Sequence, residues 1–239
     1  IAATAAVREA ADGPAFRITD SHGLWGGRNL YSLYQEAHTP WEWHAPLFEE
    51  AAKVGITIFS SPFDPTAVDF LEQFDVPAYK IASSEIVDLP LIRHAASKGK
   101  PIIISTGMAS LGEINAAVEA ARSVGNDKIV VLACTANYPA DPSESNLRGI
   151  PVMRDALGTL IGYSDHTMGI GAAVASVARV ARREETHTCT ERDDRGDSAR
   201  DQGHALLLLR AALLGLHLGE ALASTRRIAI AACHGGTPR

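Results

Sequence analysis

The chain has 239 residues, 46% of them hydrophobic and 21% charged, enough apolar material for one large α/β domain or two small ones. A net charge of −6 and a pI near 5.8 exclude a general nucleic-acid or anionic-membrane binder, which needs a basic face. Cys134, Cys189 and Cys233 lie far apart and form no CxxC, so neither a disulfide framework nor a zinc-thiolate site is predicted, and a reducing cytoplasm is the expected setting.

No signal peptide stands out. The most apolar late stretch, Ala205 to Leu222, is interrupted by Arg210, His217 and Glu220, which argues against a membrane span. Residues 1–40 offer an Ala-rich start, Phe16-Arg-Ile-Thr19 and a Gly-rich turn at 23–27, with no clear strand. The missing methionine leads us to expect a start inside a longer protein. Thr39 as N-cap and Pro40 at the first helical position predict a helix through Leu47, Phe48, Ala51 and Ala52, closed at Gly55.

A regular alternation follows. Strands are predicted at Ile56–Ser61, Ala78–Ala82, Pro101–Ser105, Lys128–Cys134 and Thr159–Tyr163. Helices are predicted at Thr66–Phe74, Leu89–Ser97, from the capping box Ser110-Leu-Gly-Glu113 to about Val124, near Leu147–Leu157, and at Gly169–Val180. The strands are almost continuously apolar and β-branched, as parallel strands covered on both faces are. Polar groups end every one of them, which favours a (β/α)8 TIM barrel over a doubly wound sheet. After about residue 178 the character changes: residues 179–239 hold ten arginines and no lysine, against seven arginines and five lysines before. Residues 182–195 show no strand alternation. They read either as a solvated loop leading to a helix at Ala205–Leu222 or as a shifted reading frame. The expected organisation is therefore a partial barrel over 1–178 and a divergent segment over 179–239.

The strand ends carry the candidate chemistry. Lys80 lies inside an apolar strand, either snorkelling outward or held inward to meet an anion, with Ser83, Ser84 and Glu85 just beyond as partners. Ser105-Thr-Gly107 ends another strand with two hydroxyls and a glycine, suited either to an oxyanion or to a tight turn. Ser164-Asp-His166 offers a histidine that suits a general base or a metal ligand. It is not a hydrolase triad, because neighbours on a strand face opposite ways. Trp41, Trp43 and Phe48 read as helix packing, and His22, His38, His44 and His94 as surface residues.

Six segments, Leu30-Tyr-Ser-Leu-Tyr34, Thr39-Pro-Trp-Glu-Trp-His44, Ser60-Ser-Pro-Phe-Asp64, Tyr79-Lys-Ile-Ala-Ser83, Ser105-Thr-Gly-Met108 and Tyr163-Ser-Asp-His-Thr167, together resemble the sialic acid synthase family over about residues 16–178. The Thr-Pro-Trp-Glu-Trp and Ser-Ser-Pro-Phe-Asp forms look most like its pseudaminic acid synthase branch. The resemblance implies a (β/α)8 barrel, a divalent Mn or Mg ion, and condensation of phosphoenolpyruvate with an N-acetylated amino sugar. That sugar is a 2,4-diacetamido-2,4,6-trideoxy hexose or N-acetylmannosamine, and the products are a nonulosonic acid and phosphate.

By the same resemblance, Ser61, Lys80, Ser83, Ser105 and Ser164 contact phosphoenolpyruvate, and Glu85, Lys80 and Tyr138 serve catalysis, Glu85 beside the metal and sugar carbonyl and Tyr138 on the sugar side. His166 and His187 would hold the metal, and the family is homodimeric. The sequence departs from the pattern in three ways. The family's N-terminal β/α units and antifreeze-like domain have no counterpart here, Ala136 replaces a usual polar residue, and Glu185-Thr-His-Thr-Cys189 stands where Glu-Lys-His-Phe-Thr is usual. A partial nonulosonate synthase is the first expectation. A catalytically inactive fragment with at most ligand binding is the alternative, and an aldolase-type barrel with a Schiff base on Lys80 is a third reading.

Overall fold

The computed structural model describes residues 16–19, 26–37, 39–180, 190–192 and 227–233. Its element order alternates strand and helix: α1 (Leu30–Ala37), α2 (His44–Val54), β1 (Ile56–Pro62), α3 (Pro65–Leu71), β2 (Tyr79–Ile81), α4 (Leu89–Ser97), β3 (Ile102–Ser105), α5 (Leu111–Arg122), β4 (Ile129–Ala133), α6 (Gly149–Leu157), β5 (Leu160–Asp165), α7 (Gly171–Val180), β6 (Thr190–Arg192) and β7 (Arg227–Cys233). The strands form one sheet in the order β6-β5-β4-β3-β2-β1-β7, every pairing parallel. Strand after helix after neighbouring strand is what short crossover units produce.

Local chemistry starts three of the helices. Asp64 accepts from the Ala67 amide at 3.0 Å with Pro65 at the first position of α3, and Asp88 does the same for α4 through Leu91. Ser110 and Glu113 form the reciprocal capping box of α5. Gly55 ends α2 at φ 69, where a side chain would be strained. Between helices and sheet lies a core of Ile81, Leu91, Ile92, Ile102, Ile104 and their neighbours, all essentially inaccessible.

The register decides which way each strand residue faces. Tyr79 reaches out to α3, its hydroxyl donating to Glu72 with the Val68 carbonyl 3.3 Å away, so its face is the helix-covered one. Ser60 pairs with Tyr79 and shares that face, while Ser61 and Lys80 point the other way. Lys80 pairs with Ile103, Ser105 with Leu132 and Leu132 with Gly162, so Ser105 and Ser164 join Ser61 and Lys80 on the face away from the helices.

Several expectations change. Thr39 is not an N-cap: a 3-10 turn at Trp41–Trp43 intervenes, with Pro40 before it, and α2 starts at His44 without a side-chain cap. His44 is fully buried rather than on the surface. Its Nδ1 lies 3.2 Å from the Pro40 carbonyl, and Phe70 and Phe74 flank its ring. Trp41 stacks on Phe70 and Phe48 on Phe74 as packing residues, but Trp43 is 57% exposed. The helix expected to reach Phe74 turns 3-10 after Leu71. The stretch read as strandless holds β6, and β7 follows, so the late segment contributes two strands to the same sheet. Helix α1 was not foreseen. The helix expected at Ala205–Leu222 lies outside the described residues, as do His22, His38 and His187.

Candidate active site

Ser61, Ser105 and Ser164 occupy the carboxyl halves of β1, β3 and β5, and Lys80 the middle of β2, all on one face. Ser61, Ser105 and Ser164 are buried. The Ser105 hydroxyl is buried without a hydrogen-bond partner among the described residues. An unsatisfied buried hydroxyl costs about 1–3 kcal/mol. Ser105 lies on the same face of the sheet as Lys80.

Ser83 opens a 3-10 turn, Ser83–Glu85, directly after β2. Its hydroxyl lies 3.4 Å from Cys134 Sγ, which also accepts from the Gly107 amide at 3.1 Å. Gly107 takes φ 40, and a Cβ there would stand 2.6 Å from Ser83 Oγ and closer still to Ser83 Cβ. The segments leaving β2, β3 and β4 are thus locked together around a sulfur. Cys134 was not singled out from sequence; its place at the end of an apolar strand was the only signal.

Glu85 ends that turn buried, with Ser84 donating to it at 3.2 Å. Burial pushes its carboxyl above the ordinary glutamate range, partly offset by the Ser84 hydrogen bond. Its described hydrogen bond runs to Ser84 and not to the strand-face residues.

A second cluster gathers at β5. The His166 ring lies against Tyr138, centroids 4.1 Å apart and planes 27° apart. Its Nδ1 is 2.8 Å from the Thr135 carbonyl and its Nε2 3.2 Å from Ser164 Oγ. The loop after β4 is fastened to the β5 exit because the Ala140 amide donates to the His166 carbonyl at 2.8 Å. Tyr138 is 55% exposed even though one ring face packs on His166. Asp165 faces away from Ser164 and His166, accepting from the Thr167 amide and hydroxyl, so the three consecutive residues form no triad.

As for a metal, no group of three or more His, Cys, Asp or Glu side chains gathers among the described residues. The chemistry of His166 nevertheless fits one ligand position. A carbonyl oxygen only accepts, so the Thr135 contact places a ring proton on Nδ1, while Nε2 lies against the Ser164 hydroxyl.

The hydroxyls of Ser61, Ser105 and Ser164 lie near the carboxyl ends of parallel strands, the end of an α/β fold where functional sites are usually built. The chain matches the NeuB family over residues 2–206 and belongs to that family. It is 48% identical over 146 residues to the pseudaminic acid synthase of Helicobacter pylori, covering 61% of this chain and 43% of that protein. It is 44% identical over 165 residues to the pseudaminic acid synthase of Campylobacter jejuni serotype O:2, covering 69% and 48%. The chain therefore spans about half the length of these curated relatives. Among solved structures it is similar to the N-acetylneuraminic acid synthetase of Leptospira borgpetersenii in complex with citrate, with TM-score 0.62, 29% identity and coverage of 68% and 55%.

Proposed function

We propose that this chain carries the phosphoenolpyruvate site of a nonulosonic acid synthase of the pseudaminic type. It would condense phosphoenolpyruvate with a 2,4-diacetamido-2,4,6-trideoxy hexose, or with N-acetylmannosamine, and release phosphate. The observation that carries the reading is the shared face of Ser61, Lys80, Ser105 and Ser164. In a flat sheet, four strand steps of about 4.8 Å would separate β1 from β5 too widely for one small anion. In this reading the sheet curves as an arc of a (β/α)8 barrel, which would bring the hydroxyls and the ammonium together.

In this reading Lys80, Ser83, Ser105 and Ser164 neutralise the phosphate and carboxylate. Tyr138 lines the sugar side beside His166. Glu85, whose burial lets it hold a proton to higher pH than usual, orients and deprotonates the water that adds to the substrate. A divalent Mn or Mg ion held by His166, with His187 as a second ligand, would polarise the open-chain sugar aldehyde. The setting proposed is cytoplasmic and the assembly homodimeric, as the family resemblance implies. No helix of the described residues is long and apolar enough to cross a membrane.

The test is calorimetric titration of phosphoenolpyruvate into wild type and Lys80→Met. The expected result is a loss of affinity of at least about tenfold, since one charge-assisted hydrogen bond is worth about 1.5–3 kcal/mol. Equal affinity would remove Lys80 from the site. Borohydride trapping of a Lys80 adduct would instead point to aldolase chemistry.

A further inference from the structure

Cys134 is the first residue after β4, two places past Leu132, which lies in register with Ser105. It is a free cysteine, partly buried. Two groups meet its sulfur: the Gly107 amide donates to it at 3.1 Å, and Ser83 Oγ lies 3.4 Å away. Gly107 also bounds Ser83 directly. A Cβ there would stand 2.4 Å from Ser83 Cβ, so only a glycine lets the two segments come this close. The sulfur is the one hydrogen-bond partner of the Ser83 hydroxyl among the described residues. Sulfur is a weak donor and a weak acceptor. Whichever atom supplies the proton, the contact gives the hydroxyl a direction without holding it as firmly as a charged oxygen would.

We infer that Cys134 is a positioning residue for anion binding: its sulfur fixes the place and direction of the Ser83 hydroxyl, and Ser83, not Cys134, touches the anion. The inference rests on the proposed reading of Ser83 as a phosphoenolpyruvate contact. Ser83 opens the 3-10 turn after β2, so strand pairing does not set its position. Gly107 and Cys134 set it instead. Without the sulfur, the hydroxyl is free to turn among its staggered positions, and the ligand must order a side chain that wild type holds ready. An anion oxygen forms a stronger, charge-assisted bond than sulfur does, so binding meets little opposition from the contact it replaces. Action through Ser83 separates this role from general packing. A packing residue would weaken binding whether or not Ser83 keeps its hydroxyl.

The experiment is a double-mutant cycle, with phosphoenolpyruvate titrated calorimetrically into the full chain. Wild type, Cys134→Ala, Ser83→Ala and the double variant are compared, each with urea unfolding alongside. Ser83→Ala is expected to weaken binding at least about tenfold, the worth of a hydrogen bond to a charged group, and Cys134→Ala about two- to tenfold. The double variant is expected to match Ser83→Ala. Cys134→Ser, which keeps an acceptor for the Gly107 amide and a partner for Ser83, is expected to bind more tightly than Cys134→Ala. Cys134→Val, which fills the space without a hydrogen-bonding atom, replaces Cys134→Ala in the cycle should that variant not fold. Cys134→Ala with wild-type affinity, or a double variant in which the two losses add in full, would overturn the inference alone. So would Cys134→Ser binding no more tightly than Cys134→Ala. Wild type that binds no phosphoenolpyruvate, or Ser83→Ala that binds it as well as wild type, would overturn the anion reading of Ser83 and the positioning role with it.

Discussion

At the residue scale, Glu85 carries a conflict between stability and chemistry. Burial raises its folded-state pKa above that of the unfolded chain, so the native state binds its proton more tightly. Stability from this group is full below the unfolded pKa and is lost as pH rises through the folded value; at neutral pH the buried carboxylate is a burden. Glu85→Gln is therefore expected to raise the melting temperature at pH 7 by about 2–4 °C, the shift that about 1 kcal/mol gives a domain of this size. The gain should vanish below about pH 4, where the wild-type group is protonated in both states. Thermal unfolding followed by circular dichroism at both pH values checks this, and a variant destabilised at pH 7 would contradict it. Individual residues were unevenly legible in the sequence. Lys80 and Ser105 follow from strand alternation once the strand is placed. The burial of His44 does not, because the rings that flank it, Phe70 and Phe74, lie well beyond it along the chain.

At the scale of elements, the strand-end segments matter more than the strands. Ser83, Gly107 and Cys134 come from three different β/α units and meet within hydrogen-bond distance. Gly107→Ala adds a Cβ into Ser83 at a positive φ, two penalties at one position. The expected outcome is a destabilisation of about 1–3 kcal/mol together with a several-fold weaker grip on phosphoenolpyruvate, since Ser83 must move. Urea unfolding and calorimetry read the two effects, and a variant that keeps wild-type phosphoenolpyruvate affinity would remove this contact from the site. The five apolar strands and the capping box were readable because their signals are local: β-branched runs, Ser110 and Glu113 three apart. The 3-10 turns at Trp41–Trp43 and Glu72–Phe74 were not, because packing of aromatic rings sets them.

At the scale of the whole molecule, parallel order and register place Ser61, Lys80, Ser105 and Ser164 on one face of the sheet, and the chain belongs to the NeuB family. The order β5-β4-β3-β2-β1 follows from the repeated β/α spacing. The addition of β6 and β7 at its two ends could not be read from an Arg-rich segment without alternation. The most direct measurement is phosphate release from phosphoenolpyruvate by this chain, with Mn²⁺, in the presence of the diacetamido-trideoxy hexose or N-acetylmannosamine. The account predicts release that requires both sugar and cation, prefers the diacetamido sugar, and is lost in Lys80→Met. Phosphoenolpyruvate left intact under all these conditions, or hydrolysed equally without sugar, would contradict it.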